Sequence, residues 1–142
     1  MLNGINHNGI VVSDLERAID FYTNILGLEL VDRRESCAGP ISQVLGYENA
    51  HIKVADVVAR DGRVIELGCY LNPVADRRQT EERSVVGSGH VAFNVDDIDS
   101  TFSYLVQNGA KALNAPVVVA IGKKVCYLQD PFGNWLELIQ QN

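Results

Sequence analysis

Two histidines and two glutamates stand at matching points of a sequence that repeats within the chain. His7 opens H-N-G-I-V-V-S-D-L, and His90 opens H-V-A-F-N-V-D-D-I. Glu66 lies in G-R-V-I-E-L, and Glu137 lies in G-N-W-L-E-L. A duplicated unit with one imidazole and one carboxylate per copy predicts a metal site around a pseudo-twofold axis. Nitrogen and oxygen ligands without thiolate suit a divalent ion such as Zn, Ni, Co, Mn or Fe.

The strands around these residues predict where the candidate ligands point, because side chains alternate between the two faces of a strand. Glu66 shares a face with Val64, and Glu137 shares one with Trp135 and Ile139. The other faces are strongly apolar and suit amphipathic helices, so all four candidate ligands are expected on the face away from the helices. No arginine or lysine stands beside either glutamate in its own strand, which favours a bound cation as the partner.

Each repeat begins with a strand and a helix. Ser13 and Glu16 form an S-x-x-E helix start, and apolar residues follow at helical spacing as far as Gly27. Asp96 and Asp99 take the same places in the second copy. Three strands are predicted after each helix: 28–34, 52–60 and 64–71 in the first half, and 112–120, 125–129 and 135–140 in the second.

The chain is thus predicted to be an α+β protein built from two βαβββ modules. Its length of 142 residues favours a single domain. The first module is expected to span 1–71, a polar connector 72–87, and the second module 88–142. One short helical turn is expected within 39–49.

Composition restricts the partners and the compartment. A net charge of −6 with interspersed charges argues against binding to nucleic acid or to an anionic membrane. The sequence shows no signal peptide and no membrane-spanning run, so a cytoplasmic protein is expected. Cys37, Cys69 and Cys126 have no C-x-x-C spacing and are expected to be free, mostly structural thiols.

Several charged residues have a less specific interpretation. His51 has no counterpart in the other repeat and is expected to be an ordinary hydrogen-bonded residue. Lys123 and Lys124 could steer an anionic substrate towards the site, but paired lysines in a turn are more often solvated. The same interpretation applies to Arg33, Arg34, Arg77 and Arg78.

Three segments resemble the vicinal oxygen chelate superfamily, which includes glyoxalase I, methylmalonyl-CoA epimerase, extradiol dioxygenases, fosfomycin-resistance proteins and bleomycin-binding proteins. They are H-N-G-I-V-V-S-D-L-E-R-A-I-D-F-Y-T-N-I-L-G-L, G-S-G-H-V-A-F-N-V-D-D-I-D and D-P-F-G-N-W-L-E-L-I. The resemblance implies that the two modules form a cupped mixed sheet around a central cavity that holds the metal. It also implies that the metal ligands are His7, Glu66, His90 and Glu137.

The ligand set indicates which branch of the superfamily is most similar. His-Glu-His-Glu resembles bacterial glyoxalase I, whereas methylmalonyl-CoA epimerases usually carry glutamine in place of Glu66. The stretch after Glu66, L-G-C-Y-L-N-P, differs from glyoxalase I and is closer to epimerase-like members. The predicted function is therefore a metal-dependent lyase or isomerase, either lactoylglutathione lyase-like or epimerase-like. Glu66 or Glu137 would move a proton next to a metal-chelated carbonyl of a small-molecule substrate.

Two alternatives stay open. In the first, His7, His90 and Glu137 bind Fe(II) for extradiol-type oxygen chemistry, and Glu66 is a bystander. In the second, a resistance protein binds an aromatic drug against Trp135 and Tyr70. A homodimer is expected because the open sheets leave edges to be covered, and the ligands could come from one chain or from both.

Overall fold

The computed structural model describes residues 1–74 and 77–142, so two positions of the predicted connector, 75 and 76, lie outside the described residues. The chain forms two compact units, Met1–Arg77 and Arg78–Asn142. Each unit has its own sheet and its own helix packed on that sheet.

The first unit contains a four-stranded sheet in the order β1-β4-β3-β2. Strand β1 runs parallel to β4, and the other neighbours are antiparallel. Helix α1 packs on β3 and β4 and covers Ile65 and Leu67, which are buried. The elements are β1 (Asn8–Val11), α1 (Leu15–Asp20), a π-helical turn (Phe21–Ile25), β2 (Glu29–Cys37), α2 (Pro40–Leu45), β3 (His51–Val58) and β4 (Val64–Asn72).

The second unit repeats this plan with a five-stranded sheet in the order β5-β9-β8-β6, in which β7 also pairs with β8. Strand β5 is parallel to β9, as β1 is to β4. Helix α3 packs on β9, where Leu136 and Leu138 are buried. The elements are β5 (His90–Asn94), α3 (Ile98–Gln107), β6 (Lys111–Ala112), β7 (Val117–Ala120), β8 (Lys123–Gln129) and β9 (Trp135–Gln141).

The turn between β8 and β9 fixes the start of the strand that carries Glu137. The peptide N–H of Gly133 donates to the carbonyl of Asp130 at 3.1 Å. The buried Asp130 carboxylate accepts from the N–H groups of Phe132 at 2.9 Å and Asn134 at 2.8 Å. The predicted turn at 130–133 is therefore confirmed, and a side-chain cap holds it in place.

The predicted helix starts are wrong by one residue in both copies. Asp14, not Ser13, caps α1, where its carboxylate accepts from the Arg17 N–H at 3.0 Å. Asp97, not Asp96, caps α3, where it accepts from two N–H groups at 3.1 Å. The reason is packing: the first helical residue in each copy is a buried apolar residue, so the cap is the residue directly before it.

The prediction of one strand over 112–120 is also wrong, because the segment is broken into β6 and β7. Pro116 lies in the gap and cannot donate a hydrogen bond to a neighbouring strand. The α+β class and the two βαβββ modules are confirmed. The cupped arrangement and the single-domain boundaries stay predictions. No helix in the described ranges is both long and apolar enough to cross a membrane.

Candidate metal centre

The two histidine–glutamate pairs occupy equivalent positions in the two sheets. Glu66 on β4 lies opposite Gly9 of β1, and Glu137 on β9 lies opposite Ala92 of β5. Each histidine stands two residues before that partner, so it lies on the same face as its glutamate. We call His7 and Glu66 the first pair, and His90 and Glu137 the second pair.

The side chains of each pair meet at short range. His7 Nε2 is 3.6 Å from Glu66 Oε1, and His90 Nε2 is 3.1 Å from Glu137 Oε2. The glutamates are less exposed than the histidines, at 24% and 17% against 38% and 43%. The structure therefore brings the predicted residues together within each unit.

The donor atoms of both pairs fit a divalent ion. Nitrogen and oxygen ligands bind Zn²⁺ at about 2.0–2.2 Å, so two neighbouring ligands on one ion are about 3.0–3.5 Å apart. The distances within the two pairs are close to that range. His7 Nδ1 donates to Asn6 Oδ1 at 2.8 Å, which leaves Nε2, the atom facing Glu66, with the free lone pair.

Neither pair is a complete ligand set. Across residues 1–74 and 77–142, no three His, Cys, Asp or Glu side chains are grouped closely enough to hold a metal ion. Each pair supplies two donors, and one pair lies in each unit.

A cation contacts Glu66 although, as predicted, its own strand supplies none beside it. Arg34 Nη2 donates to Glu66 Oε2 at 2.5 Å. Arg34 lies on β2, which is separated from β4 by the whole of β3. It also donates to Asp32 and Asp56, each at 2.7 Å. The solvated role expected for Arg34 is therefore wrong, because one guanidinium joins three carboxylates.

The pKa of Arg34 is raised above its ordinary value, chiefly by the hydrogen bond to Asp56. Asp56 lies directly across from Glu66, and Asp32 lies across from Asp56 on the next strand. The sequence contains one indication of this arrangement. In D-x-R at 32–34, Asp32 and Arg34 are two residues apart, so their side chains lie on one face of the strand. The register that brings this face to Glu66 could not be read from the sequence.

Glu137 has a neutral neighbour where Glu66 has a charged one. Tyr127 lies directly across from Glu137, and its hydroxyl is 3.2 Å from His90 Nε2. Burial and then the charge of Glu137 raise the pKa of Tyr127 above its ordinary value, and the hydrogen bond to Glu137 acts in the same direction. The hydroxyl therefore keeps its proton at neutral pH and remains a neutral donor. Sequence reasoning did not single out Tyr127.

The aromatic residues proposed for drug binding have other contacts. Trp135 is only 5% exposed, and the guanidinium of Arg83 lies 4.6 Å from the centre of its ring. Tyr70 packs edge-to-face against Tyr47, with the ring centres 6.2 Å apart. These two contacts take up ring surface that stacking of an aromatic ligand would require.

The remaining candidates lie away from the two pairs. His51 Nε2 is 2.6 Å from Glu35 Oε1, as an ordinary hydrogen-bonded histidine would be. Lys124 donates to Asp99 at 2.5 Å and is committed to that ion pair. All three cysteines are free. Two are buried, Cys69 and Cys126, and burial raises the pKa of Cys126 to about 11; the third, Cys37, is exposed.

The fold and the pairs together define an α+β protein of two βαβββ modules with one histidine–glutamate pair in each. Residues 4–138 match the Glyoxalase/Bleomycin resistance protein/Dioxygenase superfamily. The chain belongs to this superfamily, and the resemblance derived from its motifs is confirmed.

Individual relatives carry two kinds of activity in their names. A probable lactoylglutathione lyase of Vibrio cholerae serotype O1 is 31% identical, over 96% of this chain and 89% of that protein. A 2-epi-5-epi-valiolone epimerase of an Actinomyces species is 29% identical, over 95% of this chain and 78% of that protein. Among solved structures, a glyoxalase family protein from Bacillus cereus has a TM-score of 0.90 at 28% identity, covering 99% of this chain and 95% of that one.

Proposed function

We propose that this chain is a divalent-metal-dependent lyase or isomerase that moves a proton at the carbon next to a substrate carbonyl. The observation that carries the proposal is the pair of imidazole and carboxylate groups at equivalent register positions of both sheets. Relatives named as a lyase and as an epimerase support the reaction class. Both names are compatible with transfer of a proton from the carbon next to a carbonyl.

His7, Glu66, His90 and Glu137 would hold the ion, which is one of Zn, Ni, Co, Mn or Fe. When bound, such an ion supplies Lewis acidity that polarises a carbonyl and makes the neighbouring C–H bond acidic. Two donors are fewer than any of these ions needs, so the proposal requires both pairs in one coordination sphere. The pairs of one chain, or of two chains in a homodimer, would meet that requirement.

Glu137 is the better proton acceptor of the two glutamates. Glu66 Oε2 already accepts a hydrogen bond from the guanidinium of Arg34, so this oxygen is not free to take a proton from a substrate. Glu137 faces a neutral phenol, and no arginine or lysine of residues 1–74 and 77–142 forms an ion pair with it. We assign proton transfer to Glu137 and a holding role to Glu66.

The test measures proton exchange in D₂O with metal-reconstituted protein, using a methylglyoxal–thiol adduct and methylmalonyl-CoA as substrates. Glu137→Gln keeps a coordinating oxygen and removes the proton acceptor, so it is expected to retain metal and to lose exchange by about 100-fold or more. Glu66→Gln, the matched change in the other pair, is expected to lose less than about tenfold, because only a neutral ligand replaces a charged one. The substrate that exchanges its proton would show whether the activity is lyase-like or epimerase-like.

Two outcomes would contradict the assignment. Equal and full exchange in both variants would show that neither carboxylate transfers the proton. A larger loss in Glu66→Gln than in Glu137→Gln would reverse the two roles. Metal content is measured in every sample, so that loss of the ion is not mistaken for loss of the base.

A second candidate function has one observation in its favour. Since Arg34 occupies one oxygen of Glu66, the ligand set could reduce to His7, His90 and Glu137, which would suit Fe(II) and oxygen chemistry. Oxygen consumption by Fe(II)-loaded protein with a catechol, in the absence of proton exchange, would favour this candidate.

A further inference from the structure

The segment from Arg78 to Arg83 is held against the β8–β9 hairpin by three different contacts. Arg78 lies so close to the turn that a Cβ on Gly133 would be 3.0 Å from Arg78 Cδ. Glu81 accepts a hydrogen bond from the side-chain amide of Gln129. The guanidinium of Arg83 lies over the ring of Trp135 at 4.6 Å from its centre. These contacts hold Arg83 against the hairpin.

Arg83 lies on the side of the sheet that carries the second pair. Trp135 is directly across from His90, and Glu137 follows two residues later on the same face. The guanidinium of Arg83 packs on the ring of Trp135. It therefore lies beside the register position of His90, on the face that also carries Glu137.

Arg83 makes a cation–π contact with Trp135 but forms no ion pair within the described part of the chain. Among residues 1–74 and 77–142, no carboxylate lies within ion-pair distance of this guanidinium, whereas Arg34 is bonded to three carboxylates and Arg33 to Glu16. A guanidinium over an aromatic ring keeps the N–H donors at its edge free for a planar anion. The indole Nε1 of Trp135 is also buried without a hydrogen-bond partner in the described part of the chain.

We propose that Arg83 binds a carboxylate of the substrate beside the His90–Glu137 pair. The guanidinium and a carboxylate form two parallel N–H···O bonds, a geometry that lysine cannot reproduce. The proposal deepens the proposed function and rests on it, because it names the chemical class of the substrate: a carbonyl compound that also carries a carboxylate.

Binding can be measured through Trp135, which is the only tryptophan of the chain and is in contact with Arg83. The probe is 4-oxopentanoate, which carries a carboxylate, and the control ligand is its uncharged methyl ester. Wild-type protein is expected to bind the anion at least about tenfold more tightly than the ester, as one charge-assisted hydrogen-bonded contact allows. Arg83→Gln is expected to abolish this preference and to leave the ester unaffected. Arg83→Lys keeps the charge and is expected to restore part of the preference.

Lys123→Gln is the control, since it also removes one positive charge, from β8 on the face that carries Trp135. Lys123 lies six residues along the strand from Gln129, which pairs with Trp135, or about 20 Å away. This variant is expected to bind like wild type. A wild-type preference that persists in Arg83→Gln, or that Lys123→Gln loses equally, would overturn the proposal, as would no preference in wild type.

The titration is made on metal-free and on metal-loaded protein, with thermal unfolding to check that each variant is folded. An Arg83-dependent preference in the metal-free sample supports the anion site even if proton exchange fails. Proton exchange without any Arg83-dependent preference refutes the anion site and leaves the proposed function standing. The two failures are thus distinguishable.

Discussion

Arg34 is the centre of the charge arrangement around Glu66. It balances Asp32, Asp56 and Glu66, and the last two stand directly across from each other on neighbouring strands. Like charges in that position destabilise a sheet unless a cation lies between them. Arg34 therefore has a structural role whether or not a metal ion binds nearby.

Replacing Arg34 should lower the stability of the protein. Arg34→Gln is expected to lower the free energy of unfolding by about 1 kcal/mol near neutral pH, a value that allows for solvent screening of partly exposed groups. Urea denaturation measures the difference from wild type.

Arg33→Gln is the matched control for this change. Arg33 is the next residue on β2 and points to the other face, where it pairs with Glu16. An exposed pair of this kind contributes little, so a change within about 0.5 kcal/mol is expected. Equal decreases in the free energy of unfolding of the two variants would mean that the contacts of Arg34 with three carboxylates contribute no more than one exposed ion pair.

The approach of each histidine to its glutamate could be predicted from the repeat and from the alternation of side chains along a strand. The contact between Arg34 and Glu66 could not be predicted. It depends on the pairing of three strands and on a register shift between Leu30 and Asp32, which no local pattern encodes. Tyr127 was missed for the same reason, since its position across from Glu137 is a fact of register.

Helix starts show how packing decides between neighbouring candidates. Ser13 fits the S-x-x-E pattern, yet the helix begins at the buried Leu15 and takes Asp14 as its cap. The second copy repeats the choice with Ile98 and Asp97. Local propensity thus predicted the start of both helices to within one residue, and the buried face determined the remaining position.

Substitutions at Asp14 and Ser13 test which of the two residues caps α1. Asp14→Ala removes the acceptor for the Arg17 N–H and is expected to lower the free energy of unfolding by about 1 kcal/mol. Ser13→Ala is expected to change it by less than about 0.5 kcal/mol, because Ser13 is exposed and outside the helix. A larger effect at Ser13 would restore the cap assignment made from the sequence pattern.

The whole molecule carries one histidine–glutamate pair in each unit, and the proposed site needs both. Metal-free protein titrated with Ni²⁺ or Co²⁺ in a calorimeter is expected to bind one ion per chain. His7→Ala and His90→Ala should each weaken binding by about 100-fold or more, because even residues that only support a ligand are worth 10–100-fold.

His51→Ala serves as the control in that experiment, since His51 is the one histidine of the sequence outside the two pairs and is hydrogen-bonded to Glu35. It should bind the ion as wild type does. Two ions per chain, or a loss in only one of the two unit-specific variants, would mean that the pairs act separately.

Asp56 and Tyr127 illustrate what joining two modules in one gene makes possible. They hold the same register position beside Glu66 and Glu137, yet one is an acid and the other a phenol. Two identical one-module chains paired around a twofold axis would carry the same neighbour beside both glutamates. In a fused chain, mutation can alter one neighbour and spare the other. Selection can then assign different tasks to two carboxylates that hold equivalent positions in the two modules.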